Sequence, residues 1–67
     1  MTNAEAKQAL INRTPVMYGG IKYHRIKELV YWVDDNDTFH ISATLLDKNR
    51  NSSVRPEIKD VTLIYDN

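Results

Sequence analysis

Two adjacent glycines, Gly19-Gly20, stand between Val16-Met17-Tyr18 and Ile21-Lys22-Tyr23, and they constrain the fold more than any other feature of the chain. Paired glycines accept the positive φ that two-residue hairpin turns demand, so the flanking triplets are predicted to be antiparallel strands. The chain therefore contains a sheet, and the remaining segments must be compatible with it.

Before the hairpin, Thr2 followed three residues later by Glu5 matches a capping box. Ala4, Ala6, Ala9, Leu10 and Ile11 supply helix formers with an apolar stripe. One short helix is predicted over residues 3–11. So few turns are not stable alone, so Ala6, Leu10 and Ile11 are expected to pack on the sheet. Asn12 to Thr14 ends the helix, and Pro15 forbids its continuation.

After the hairpin, residues 21–33 are rich in strand formers, but the apolar phase changes along them. Ile21 and Tyr23 are odd, Ile26 is even, and Leu29 to Val33 is apolar on both phases. A bulge or bend between His24 and Glu28 reconciles these phases. Asp34-Asp35-Asn36-Asp37 reads as a polar turn. Beyond it Phe39, Ile41, Ala43 and Leu45 alternate with His40, Ser42 and Thr44, which predicts a strand with one buried and one wet face. Residues 48–51 form a second polar turn and residues 52–55 a short strand. Pro56 to Asp60 is a turn or a single 3₁₀ turn, and Val61, Leu63 and Tyr65 close the chain.

These elements predict a mainly β (α+β) single domain over residues 1–67. A short N-terminal helix precedes a five-stranded antiparallel, strongly bent sheet, with strands over 15–18, 21–33, 38–47, 52–55 and 61–65, closing as an SH3-like small barrel. A chain of 67 residues is near the lower limit for independent folding, where about 60% of the surface is buried. There is room for one modest core.

Composition narrows the function. The absence of cysteine shows no adaptation to an oxidising compartment, the first ten residues lack the apolar run of a signal peptide, and no stretch approaches the roughly 18 apolar residues of a membrane span. A cytoplasmic protein without membrane association is expected. A formal net charge of +0 argues against a strongly basic nucleic-acid binder and against an acidic DNA mimic. The charge is nonetheless unevenly placed. Lys7, Arg13, Lys22, Arg25 and Lys27 dominate the first half, Asp34, Asp35, Asp37 and Asp47 the middle, and Lys48, Arg50, Arg55 and Lys59 follow.

Little in the chain points to catalysis or to a bound cofactor. His24 and His40 are the only histidines and have no zinc-type spacing, and Asp34 to Asp37 lacks the glycine and terminal glutamate of a calcium loop. No metal and no cofactor is expected. Ser42, His40 and Asp47 could be drawn as a triad, but no strained nucleophile turn accompanies them and so short a chain has little cleft to exclude water. No catalytic residue is assigned, and the domain is read as not an enzyme. Gly19-Gly20 is not followed by the Gly-Lys-Ser/Thr of a phosphate loop.

The stretch from Thr14 to Ile26 together with Leu45-Leu46-Asp47-Lys48-Asn49-Arg50-Asn51-Ser52 resembles short uncharacterised proteins of Firmicutes and their phages or integrated elements. The resemblance covers about half of the chain and transfers no functional residue. It implies a bacterial or phage accessory protein that binds a host protein, nucleic acid or a nucleotide signal.

Two features of the residues bear on binding. Tyr18, Tyr23, Tyr31 and Trp32 lie among Lys22, Arg25 and Lys27, with Arg50 and Arg55 further on; small barrels stack bases on such aromatics and meet phosphate with such cations. The same rings could equally fill the core or its rim. Leu29-Val30-Tyr31-Trp32-Val33 is apolar on both strand faces, whereas a single-layer sheet leaves one face polar, so either the helix or a partner covers the second face. The sequence thus leads to a noncatalytic interaction module whose partner is another protein or a second copy of itself. The alternative is a small nucleic-acid or nucleotide-binding barrel.

Overall fold

The helix begins where its capping box places it. In the computed structural model, which describes residues 1–49 and 53–64, Thr2 Oγ1 accepts from the Glu5 N–H at 3.1 Å and Glu5 Oε1 accepts from the Thr2 N–H at 2.8 Å. Helix α1 runs from Asn3 to Asn12 and ends at Arg13, whose φ of 56° is left-handed. The Thr14 N–H reaches back to the Ala9 carbonyl at 3.0 Å, closing the last turn before Pro15.

Strands β1 (Val16–Tyr18) and β2 (Ile21–Tyr23) form the expected hairpin, with Val16 opposite Tyr23. Gly19 and Gly20 have φ of 59° and 77°, the pair of positive values that a type I′ turn requires. At His24 the strand breaks. Its N–H donates to the Leu46 carbonyl at 2.8 Å, and β3 (Arg25–Val33) continues in a different sheet, antiparallel to β4 (Phe39–Leu46) with a register shift between Ile26 and Glu28. The irregularity falls inside the interval that the change of apolar phase indicates. Strand β5 (Ser53–Val54) follows, then a 3₁₀ turn over Ile58–Asp60 and β6 (Thr62–Leu63).

The architecture corrects the barrel. Among the described residues six strands form two three-stranded antiparallel sheets, ordered β2-β1-β6 and β3-β4-β5, rather than one five-stranded sheet. The break at His24 is the physical reason: residues 21–33 are two strands, one pairing with β1 and the other with β4. Among the described residues no strand pairing joins the two sheets into a closed barrel. Residues 50–52 and Tyr65, which the sequence reading places in the second polar turn, the strand over 52–55 and the final strand, lie outside the described residues.

The core joins the helix, both sheets and the 3₁₀ turn. Ala6 and Ala9 of the helix, Val16 and Tyr23 of the first sheet, Ile26, Ala43 and Leu45 of the second, and Ile58 and Val61 are buried together. Ile26 and Leu45 are cross-strand partners and both fully enclosed. The Met1 amine donates to the Ile58 and Val61 carbonyls at 2.9 and 3.0 Å, which fixes the start of the helix to the 3₁₀ turn.

Two burial expectations change. Ile11 is 70% exposed, because Ala6, Ala9 and Leu10 define the packed face and each helical residue turns about 100° from the last, leaving Ile11 on the outer side. Ser42 and Thr44, expected on a wet face, are buried, while Phe39, expected inside, is 59% exposed. The segment after β5 continues alongside β4, with the Ala43 N–H donating to the Pro56 carbonyl at 2.9 Å and Ser42 bridging to Glu57, and side chains cover the supposedly wet face: Trp32 bonds Ser42, and Glu28 and Arg55 bond Thr44. Among the described residues no helix is long and apolar enough to cross a membrane.

Candidate functional site

The β3–β4 hairpin carries most of the exposed aromatic surface, and its register fixes what each residue offers. Tyr31 pairs with Ile41, Trp32 with His40 and Val33 with Phe39. Side chains alternate, so Leu29, Tyr31, Val33, Phe39 and Ile41 share one face while Val30, Trp32, His40, Ser42 and Thr44 share the other.

The face bearing Trp32 carries a polar network, and Trp32 itself stays 40% exposed. The indole stacks on the His40 ring with centroids 4.3 Å apart, and its Nε1–H donates to Ser42 Oγ at 2.9 Å. His40 is held from both sides: Nε2 meets Asp34 Oδ2 at 2.7 Å and Nδ1 contacts Glu57 Oε1. Asp34 also accepts the backbone N–H groups of Asn36 and Thr38 at 2.8 and 3.0 Å, which shapes the hairpin turn. Hydrogen bonding to Asp34 raises the His40 pKa above the ordinary imidazole value, and the two carboxylates add to the effect. The same bond lowers the Asp34 pKa, and a bond from Lys59 lowers that of Glu57. Further along, Thr44 donates to Glu28 at 3.0 Å and accepts from Arg55 Nε at 3.1 Å.

Every buried side-chain polar atom among the described residues has a partner, and the network holds the turn and residues 55–57 to β4. Among the described residues no group of three or more His, Asp or Glu side chains could hold a metal ion.

The opposite face is apolar and only partly covered. Helix α1 lies against β3, and the Tyr31 hydroxyl donates to Asn3 Oδ1 at 2.8 Å. Beyond the start of the helix, Tyr31, Val33 and Phe39 are 46%, 57% and 59% exposed, and the rings of Tyr31 and Phe39 stack 6.2 Å apart. Of the two covers expected for the doubly apolar strand, the helix supplies one, and only over part of its length.

The backbone of β3 provides the decisive geometry. The Asp34 N–H donates to Thr38, which makes 34/38 a hydrogen-bonded pair, and the Ala43 N–H points away from β3 to Pro56. Bonded and non-bonded pairs alternate in an antiparallel ladder, so Trp32/His40 and Val30/Ser42 are bonded pairs while Val33/Phe39, Tyr31/Ile41 and Leu29/Ala43 are not. The N–H and C=O groups of Leu29, Tyr31 and Val33 therefore point outward from the sheet. Strand β3 is the terminal strand of its sheet, and among the described residues no strand pairs with that outer edge.

The aromatic and cationic residues singled out in the sequence do not converge. Tyr23 is in the core, and Tyr18 of the same β2-β1-β6 sheet packs half-buried against that core. Tyr31 and Trp32 are adjacent in β3 and occupy opposite faces. Arg25 is half-buried at the start of β3, Lys27 is exposed at its bulge, and Arg55 bonds Thr44 and Glu28. Arg50 lies outside the described residues. Lys22 is exposed and joins Tyr23, Pro15, His24 and Lys48 around a shallow depression of about 370 Å³.

His40, Asp34 and Glu57 were not marked as a cluster by sequence alone. The contact between His40 and Glu57 spans 17 positions with no local spacing to reveal it. The pairing of Trp32 with His40, in contrast, follows once the turn is centred on residues 34–38. Compared with protein-family models, curated proteins and solved structures, the chain gives no match.

Proposed function

We propose that this domain is a noncatalytic interaction module that binds an extended protein strand along the outer edge of β3, in the accessory role that the sequence resemblance implies. The observation that carries this reading is the outward set of N–H and C=O groups on Leu29, Tyr31 and Val33, bordered by the exposed side chains of Tyr31, Val33 and Phe39. Strand addition uses such an edge: main-chain hydrogen bonds supply affinity and alternate side chains supply selectivity. Natural edges are usually blunted by charge, proline or a bulge. From Leu29 to Val33 none of these interrupts β3, and its bulge lies upstream, between Ile26 and Glu28.

A nuclear magnetic resonance titration of dilute protein with an excess of a blocked (Val-Thr)₃ peptide, an extended strand with no charge, tests the reading. The expected result is slowed exchange and shifted amide signals at Leu29, Tyr31 and Val33, with Val30 and Trp32 much less affected. Binding of the peptide elsewhere, or no binding, would overturn it.

A second reading, binding of nucleic acid or a nucleotide, is favoured by the depression where Lys22 and Lys48 flank Tyr23 and His24. Titration with single-stranded and duplex oligonucleotides separates the two readings. Phosphate recognition there gives salt-dependent binding that Lys22→Glu weakens, and it leaves the amides of the β3 edge unmoved.

A further inference from the structure

We propose that the occupant of the β3 edge is a second copy of this chain, paired antiparallel about Tyr31; the inference rests on the reading of that edge as a strand-binding site. The outward backbone groups recur at every second residue, Leu29, Tyr31 and Val33. Two such edges, related by a two-fold axis at Tyr31, set Leu29 against Val33 of the other copy, Tyr31 against Tyr31, and Val33 against Leu29. All three pairs fall at hydrogen-bonded positions, which yields six main-chain hydrogen bonds. The contact is isologous and closes on itself, so it ends at two copies.

The side chains suit this register. On the helix side, Leu29 of each copy meets Val33 of the other and the two Tyr31 rings become neighbours, with the exposed Phe39 rings flanking them. On the other side, Val30 meets Trp32. The Tyr31 hydroxyl stays bonded to Asn3 of its own chain, which holds the ring on the sheet face, away from the edge.

Charge selects the orientation. Arg25 and Lys27 precede the apolar stretch, and Asp35 and Asp37 follow it in the hairpin turn. Antiparallel pairing brings the basic start of β3, at Lys27, toward the hairpin turn that carries Asp35 of the other copy, at both ends. A parallel arrangement aligns like with like. Glu28 comes opposite Asp34, but each is already paired within its own chain, with Arg55 and His40 respectively. The formal net charge of +0 adds no overall repulsion between copies.

The absence of native cysteine makes the register directly testable on the whole chain. Facing residues of a hydrogen-bonded pair have Cα atoms about 5.5 Å apart, within disulfide range. Under mild oxidation Tyr31→Cys is expected to form a covalent dimer. Val33→Cys alone is expected not to, since its two copies lie about 13 Å apart at strand spacing. Leu29→Cys mixed with Val33→Cys is expected to give the heterodimer. In sedimentation equilibrium the unmodified chain is a dimer, and Val33→Pro, which removes an outward N–H and leaves the β4 ladder intact, is a monomer with unchanged circular dichroism. Val33→Lys serves the same purpose should the proline variant fail to fold.

An unmodified chain that stays monomeric into the hundreds of micromolar range, or cross-linking that ignores position, overturns the self-pairing. If the (Val-Thr)₃ peptide still protects Leu29, Tyr31 and Val33 in that monomer, the edge binds strands and only the choice of a second copy is wrong. If the peptide leaves them unprotected, both readings fail.

Discussion

The indole of Trp32 lies on the imidazole of His40, with ring centroids 4.3 Å apart and planes 23° from parallel. This contact ties the β3–β4 hairpin to residues 55–57, because the same imidazole bonds Asp34 in the turn and Glu57 after β5. It also gives one ring of β3 an intramolecular role, although Trp32 remains 40% exposed.

Stability is expected to fall on both sides of a plateau in pH. The folded chain raises the His40 pKa, so its contribution is full below the ordinary imidazole value of about 6.5 and is lost as pH rises through the higher folded value. The folded pKa values of Asp34, Glu57 and Glu5 are lowered, so their contributions hold above the ordinary carboxylate range and disappear as pH falls through the folded values. Denaturant midpoints measured across pH should show both slopes, and His40→Gln should remove the alkaline one.

Ser42→Ala deletes the acceptor of the Trp32 indole N–H, a 2.9 Å bond at a side chain that is 3% exposed. A loss of about 1 kcal/mol is expected for a neutral hydrogen bond of this kind. Chemical denaturation reads the loss, and the indole N–H signal of Trp32 should shift with it.

Ile26→Ala opens a hole at the contact with Leu45, where both side chains are fully enclosed. Large-to-small core substitutions cost about 2–5 kcal/mol, a large share of what so small a domain has in reserve. Calorimetry should find either a much lower transition temperature or no cooperative transition.

Arg13→Gly should stabilise the chain by roughly 0.5–1 kcal/mol, since Arg13 closes α1 in the left-handed region at φ 56°, a conformation that glycine adopts without a steric penalty. Gly19→Ala should do the reverse at φ 59°. Thermal melts of the two variants check both signs.

Much of the fold was legible because it is locally encoded. Thr2 and Glu5 mark the helix start within one turn, Gly19-Gly20 can hardly be other than a hairpin, and the phase change before Leu29 locates the bulge. The 3₁₀ turn after Pro56 is likewise written in adjacent residues. What was not legible depends on partners distant in sequence. The alternation from Phe39 to Leu45 is real, yet it does not predict burial, because the side chains of Trp32, Glu28 and Arg55 close over Ser42 and Thr44. The split at His24 redirects β3 to another sheet and prevents the barrel. The candidate site shows the same division: the doubly apolar run at Leu29–Val33 marked the right strand, but the backbone direction of Leu29, Tyr31 and Val33 emerges only from the ladder.

Amide hydrogen exchange, resolved by residue on the isolated chain, tests the outward edge most directly. In dilute solution Val30 and Trp32, bonded to β4, should exchange slowly while Leu29, Tyr31 and Val33 exchange freely; concentrating the protein should then protect those three. Protection of all five at high dilution, or free exchange of the outer three at every concentration and in the presence of the strand peptide, would contradict the account.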